Sequence, residues 1–270
     1  MRLATIRTND GTRAVRIDGD TATETGHTDV GELLSDPNWR EIEATGPRHN
    51  PASLDYAPLI PSPDKVICVG LNYRDHIAEM GNTVPEYPTL FAKYARSLTG
   101  AYDDIELPPE STKVDWEAEL TIVIGAAVRR ATGAEAAAAI AGYTVANDVS
   151  MRDFQRRTNQ FLAGKMWEHA TPVGPWLTVT DDPAPAYAIS ASIDGETMQS
   201  SNTDQLLFGP VALVGYISQA ITLLPGDLIL TGTPGGVGAG RTPPRFVQAG
   251  ETVTIAIEGL GELRNRFTAP

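Results

Sequence analysis

The chain contains a single cysteine, Cys68, in 270 residues. That excludes an intrachain disulfide framework and a zinc–thiolate cage. Cys68 lies in the apolar run 66–69 (VICV) and reads as a buried structural thiol rather than a nucleophile. Positive charge is also scarce: 21 Lys and Arg face 34 Asp and Glu, for a net charge of −13. Arg129-Arg130 and Arg156-Arg157 are only pairs. With no basic cluster to offset the acidic field, nucleic acid and anionic membrane faces are poor partners. Long hydrophobic runs are missing; the least polar stretch, 136–146, is too short to span a bilayer and contains Gly142. The N-terminus (MRLATIRTND) lacks the apolar segment of a signal peptide, so a cytoplasmic location is expected. No G-x-S-x-G elbow occurs and there are four histidines, which gives a serine-hydrolase triad little support. The glycine-rich stretch 232–240 (GTPGGVGAG) has no Walker lysine and runs into Thr242-Pro243-Pro244. It therefore reads as backbone lining a pocket, not as a phosphate cradle at a helix start.

Glycine and proline are plentiful, 25 and 20 residues, without periodicity, which suggests many turns between short strands. Residues 1–60 read as a small N-terminal α+β unit and linker. Two alternating segments flank Asn9-Asp10-Gly11, a hairpin signal. Thr28-Asp29 caps a short helix through Val30, Leu33 and Leu34, and Pro47, Pro51, Pro58, Pro61 and Pro63 crowd the segment that follows. Residues 61–270 form the main domain. Strands are expected over 65–70, 116–125, 143–149, 227–231 and 253–257, the fourth entered through a Pro225-Gly226 turn. Helices are expected over 72–79, behind a Thr132–Glu135 capping box, and from Pro210. Residues 81–88 (GNTVPEYP) are expected to be a mobile loop. Strands outnumber helices and do not alternate regularly with them, so the class is α+β, mostly β.

The strongest chemical signal is 115–120 (DWEAEL). On a strand, Glu117 and Glu119 project from the same face and bring their carboxylates together. Bare like charges that close repel, and a divalent cation removes the conflict. The same spacing also fits an edge strand with a solvated acidic face. Asp148, at the end of a second strand, is either a third oxygen donor or an ordinary turn residue. Three oxygen donors without Cys or His suit Mg²⁺, Mn²⁺ or Ca²⁺. His76 and Glu79 are three apart on a helix and share a face, as a water-activating imidazole–carboxylate pair or as a surface salt bridge. Lys165, in the apolar stretch 162–167 (LAGKMW), is either a buried cation facing an anion or a lysine that snorkels outward.

These motifs, in order, resemble the fumarylacetoacetate hydrolase family. The resemblance is carried by 65–79 (KVICVGLNYRDHIAE), 115–125 (DWEAELTIVIG), 143–155 (YTVANDVSMRDFQ), Gly164-Lys165, Gly174-Pro175-Trp176 and 231–238 (TGTPGGVG), and covers roughly 64–267. It implies a mixed β-sandwich roll, a homodimer, and Mg²⁺ or Mn²⁺ held by Glu117, Glu119 and Asp148. It makes His76 and Glu79 the catalytic dyad on a lid continuing into residues 80–88, and turns Lys165 toward the substrate's oxygens. Lys93, Arg152, Gln155 and Thr233 are implied as substrate contacts. The implied activity is hydrolysis of a C–C bond in a 1,3-dicarbonyl acid, such as an acylpyruvate, through a metal-stabilised enolate, as in catabolism of aromatic compounds. A β-keto acid decarboxylase, a keto–enol isomerase and a non-catalytic small-molecule binder are the alternatives at the same site. The chain departs from the family's frequent Gly-Lys-Ser-Phe-Asp-Thr at Met166, Trp167 and His169, and carries Tyr94 where a proline commonly stands.

Overall fold

The computed structural model describes every residue except Met80 and Asn82, so that part of the expected lid lies outside the described residues. The framework is a mixed sheet of eleven strands packed against a sheet of five. The centre of the large sheet is built from Ala118–Ile124, Ile140–Asn147 and Leu228–Leu230, each buried along its whole length. Burial on both sides explains why these strands read as continuous apolar runs rather than as alternating ones. One face carries Leu120, Ile122, Tyr143 and Val145 into a core shared with Ile189, Ala191, Val253, Ile255, Leu263 and Phe267 of the smaller sheet. The other face, through Val123, Ala141, Leu228 and Leu230, packs on Val30, Leu33, Leu34 and Trp39 from the N-terminal segment. The smaller sheet has only one covered face, and Thr252–Ile257 alternates accordingly.

Several sequence expectations hold. Asp10-Gly11 turns Arg2–Thr8 back onto Gly11–Asp18, and Asp29 caps the helix Val30–Leu34 by accepting from the Glu32 amide. Pro210 occupies the first turn of Pro210–Ala220. The N-terminal hairpin is joined to the main sheet by pairing of Arg2 and Leu3 with Thr178 and Leu177. Others need correction. The strand expected over 116–125 is shorter: Ala118–Ile124 enters the large sheet, Trp116 and Glu117 lie outside any strand, and Val114–Asp115 ahead of them pairs with Ser150–Met151. The capping box at Thr132 is not made. Its side chain caps nothing, and only the backbone bond from the Glu135 amide to the Thr132 carbonyl forms.

One end of the large sheet collects the chemistry. Ala118–Ile124 begins there, while its antiparallel partner Ile140–Asn147 ends there, Ala118 opposite Asn147. Leu228–Leu230 and its parallel neighbour Val66–Gly70 also end there. The first leads into the glycine-rich loop and the second into the helix Arg74–Glu79.

Candidate active site

At this sheet end one oxygen each of Glu117, Glu119 and Asp148 lies within 4.8 Å of the others, all three residues being buried. Burial at the end of fully buried strands rules out the solvated acidic edge and the turn-residue reading of Asp148. The irregular link Trp116–Glu117 is held by Asn147, whose side-chain oxygen accepts from the Glu117 amide at 3.0 Å. Glu119 accepts from the Gly232 amide at 2.7 Å. Gly232 has φ +100°, and a Cβ there would meet the Val69 carbonyl at 2.9 Å, so only glycine brings this amide to the carboxylate.

Lys165 does not snorkel. It is 1% exposed, and its Nζ donates to Glu117 Oε2 at 2.6 Å and to Asp148 Oδ2 at 2.7 Å. Burial alone would lower its pKa, but Asp148 and Glu117 outweigh burial and push it up. Burial would likewise raise Glu117, yet Lys165 and Arg152 hold it below the usual carboxylate range. Glu119 behaves oppositely. Burial, then the charges of Asp148 and Glu117, push it well above that range. Asp148 Oδ1 is a buried acceptor without a hydrogen bond. Lys93 Nζ stands 2.8 Å from it, but off the angle a hydrogen bond requires. Three buried oxygen donors crowded together, one of them a carboxyl whose pKa is raised by burial and by its neighbours, are what a divalent cation would satisfy.

His76 lines a cavity of about 430 Å³ together with Glu117 and Glu119. Its Nδ1 is 3.2 Å from Glu79 Oε2, and Glu79 in turn accepts from the Gly236 amide at 3.0 Å. The hydrogen bond from His76 holds Glu79 below its ordinary pKa despite partial burial. Gly236 also has φ +100°, with a hypothetical Cβ 2.2 Å from the Met198 carbonyl. The glycine-rich loop therefore does cradle anions, but the anions are the protein's own carboxylates. Val69, Leu71, Phe91, Phe161 and Val237 supply the cavity's apolar wall.

The residues expected to contact substrate divide. Gln155 and Thr233 line the cavity, the Thr233 hydroxyl being fixed by a donor bond from Gln199 Nε2 at 2.8 Å. Arg152 also borders the cavity, but its guanidinium is committed to Asp115 Oδ2, Glu117 Oε1 and Gln155 Oε1 at 2.7, 2.7 and 3.0 Å. Lys93 sits behind Asp148, 3% exposed, donating to the Lys165 carbonyl at 2.6 Å and to Thr171 Oγ1 at 2.8 Å. Both therefore brace the carboxylates. The departures at 166–169 stay off the cavity wall: Trp167 packs edge-on against Phe154, and Glu168 pairs with exposed Arg96.

Two residues escaped the sequence reading. Asp115 is fully buried and accepts from Arg152 Nε, from the Gly238 and Ala239 amides and from the Trp116 amide at 2.7, 2.7, 2.9 and 2.9 Å. Gln199 accepts from the Ala118 amide at 3.0 Å and donates to Thr233 and to the Pro234 carbonyl. Together they lash the glycine-rich loop to the strand that carries the triad. Asp115 had been seen only as a neighbour of the glutamates, and no local pattern marks Gln199.

A buried acidic triad that could hold a divalent cation shares a small cavity with the imidazole of an imidazole–carboxylate pair, a combination typical of an enzyme site. The chain belongs to the fumarylacetoacetate hydrolase family. The family described as Fumarylacetoacetate (FAA) hydrolase C-terminal matches residues 65–268. The chain is 48% identical over 208 residues to the oxaloacetate tautomerase FAHD2A, mitochondrial, of Bos taurus, covering 76% of this chain and 66% of that protein. It thus spans just under two thirds of that relative. Among solved structures, the fumarylacetoacetate hydrolase of Exiguobacterium antarcticum superimposes with a TM-score of 0.89 at 32% identity, over 100% of both chains. The 5-carboxymethyl-2-hydroxymuconate delta-isomerase of Mycobacterium smegmatis gives 0.83 at 36%, over 100% of this chain and 99% of that one. The family is enzymatic, and the fold agrees with the mixed β architecture expected. The bovine relative is named as mitochondrial, so the cytoplasmic expectation is not a property of all relatives. Among the described residues no helix is long and apolar enough to cross a membrane.

Proposed function

We propose that this protein interconverts the keto and enol forms of a small 2-oxo dicarboxylic acid of the oxaloacetate type, with a divalent cation at the triad. The observation that carries the reading is His76, paired with Glu79, lining the same cavity as Glu117 and Glu119. Similarity to a protein named as an oxaloacetate tautomerase supports the choice of reaction. A divalent cation bound by Glu117, Glu119 and Asp148 supplies Lewis-acid polarisation to the oxygens of a 2-oxo acid. His76 takes the proton from the carbon between the two carbonyl groups and delivers it to the 2-oxo oxygen, or the reverse, so that one C–H bond is exchanged for one O–H bond and the dyad is returned unchanged. Its Nδ1 is engaged by Glu79, which fixes the ring orientation and leaves Nε2 for the substrate. Lys165, held protonated, offsets charge that develops on the substrate's oxygens without giving up its own proton. The apolar wall keeps water from the carbon that is losing its proton.

Cleavage of a C–C bond by water is the second reading. It is favoured by the same dyad, because an oriented imidazole activates water as readily as it takes a proton from carbon. The two are separated by mixing Mg²⁺-loaded protein with oxaloacetate enriched in its enol and following the enol's ultraviolet absorbance, with acetylpyruvate in parallel by NMR. Tautomerisation predicts accelerated loss of the enol and no pyruvate from acetylpyruvate. His76→Ala is expected to slow it by on the order of 10²-fold. Efficient release of pyruvate and acetate would move the assignment to the hydrolase. Unchanged turnover in His76→Ala would remove the dyad from either mechanism.

A further inference from the structure

Three arginines and lysines line the cavity: Arg152, Lys165 and Arg156. The first two are spent on Asp115, Glu117 and Asp148. Among the described residues no carboxylate lies within ion-pairing distance of Arg156, in a protein with thirteen more acids than bases. Its neighbour Arg157 is occupied differently, stacked 3.5 Å over the Phe154 ring. Arg156 follows the one-turn helix Arg152–Gln155, and its amide donates to the Arg152 carbonyl at 3.2 Å. One turn carries the chain about 6 Å from the arginine that braces Glu117 to an exposed position on the cavity wall. Gln155 stands between them with its orientation settled. Its Oε1 accepts from Arg152 Nη1, which leaves the amide NH₂, a pure donor, for the cavity. This stretch of wall therefore offers a guanidinium without an ion-pair partner among the described residues, and an amide donor beside it.

We infer that Arg156 grips the remote carboxylate of the substrate and makes the site selective for a diacid over the corresponding monoacid. The inference rests on the reading of a 2-oxo acid site and adds what lies at the substrate's far end. A guanidinium binds a carboxylate through two parallel N–H donors, which neither a methyl group nor a hydroxyl can replace. Arg156, Glu117 and Glu119 line one cavity, so a diacid held at the triad has a cation available for its far end, and a monoacid leaves Arg156 in water.

The test uses a matched pair that cannot enolise. Malate and 2-hydroxybutyrate have the same carbon skeleton length and differ in the far carboxylate. Each is titrated calorimetrically into the full-length, Mg²⁺-saturated protein. Wild type is expected to prefer malate by at least about tenfold, the usual value of a hydrogen bond to a charged group. Arg156→Gln should erase that preference by weakening malate alone, and Arg156→Lys should restore part of it. The side chain is exposed, so folding is not at stake. An unchanged malate to 2-hydroxybutyrate ratio in Arg156→Gln overturns the carboxylate grip while leaving the oxo-acid site standing. Failure of wild type to bind either acid overturns both.

Discussion

Replacing Asp115 by Asn tests whether one buried carboxylate holds the site together. The side chain keeps its shape and loses its charge. Its Oδ2 accepts from Arg152 Nε and Ala239 N, its Oδ1 from Trp116 N and Gly238 N. An amide must present NH₂ on one of those sides, where it meets two donors. At least two bonds are lost whichever way it turns, and Arg152 is left buried with Glu117 as its remaining anion. Bonds to a charged group contribute about 1.5–3 kcal/mol each, so the cost is about 3–6 kcal/mol. For a chain of this size that is a fall in Tm of roughly 6–20 °C. Urea unfolding followed by circular dichroism measures it. The same change frees the loop that positions Thr233 and the guanidinium that steadies Glu117. Mg²⁺ affinity should therefore drop about 10–100-fold, as when an outer partner of a metal ligand is removed. A variant within about 0.5 kcal/mol of wild type, the range of neutral surface changes, would refute the assignment of Asp115 as the tie between triad and loop.

Glu119 has a raised pKa in the folded chain, from burial and from Asp148 and Glu117. Folding without metal then binds a proton that the unfolded chain releases, so this contribution to stability is present below the unfolded pKa and lost as pH rises through the folded one. Metal-free protein should weaken toward neutral pH, Mg²⁺ should reverse the trend with release of a proton, and Glu119→Gln should flatten it. Urea midpoints across a pH series, with and without Mg²⁺, report all three; a metal-free stability that rises over the same interval contradicts the assignment. Lys165→Met leaves Glu117 and Asp148 facing each other in the interior, which should cost about 3–5 kcal/mol without metal. Mg²⁺ should then raise Tm more in this variant than in wild type, and equal gains would show that Lys165 does not neutralise the two carboxylates.

What the sequence revealed and what it hid follow from how local each cause is. The central strands are apolar because both faces are covered, so Val66–Gly70, Ala118–Ile124 and Ile140–Asn147 stand out from composition alone. Thr171–Val179 is just as central but carries Pro172, Gly174 and Pro175, and these turn signals mask it. Glu196–Asn202 (ETMQSSN) forms an edge of the small sheet with most of its side chains outside the core, so it reads as loop. The triad was legible because two of its members are two residues apart. Asp115 was not, because its partners Gly238 and Ala239 are 123 and 124 residues away. Lys93 was expected to reach substrate because motif spacing cannot say on which side of Asp148 an ammonium lies. Arg156 drew notice only as half of a basic pair. Its meaning depends on Arg152 and Lys165 being spent, and that requires coordinates.

The charges at the sheet end explain why cation and substrate should depend on each other. Asp115, Glu117, Glu119 and Asp148 face Arg152, Lys165 and Lys93. The raised pKa of Glu119 favours a proton there, and that proton would balance the buried set, which is how so many ionisable groups can share an apolar interior. A cation that displaces that proton turns the balance positive, and Arg156 extends the positive region to the rim. A dianion repelled by the protein's overall charge then meets local attraction only at the loaded site. Ordered binding follows, with the cation first and the diacid second. Malate should therefore bind measurably to the Mg²⁺-saturated protein and not to the chelated one. Equal malate affinity in the two states would show that the lysines and arginines alone recruit the acid.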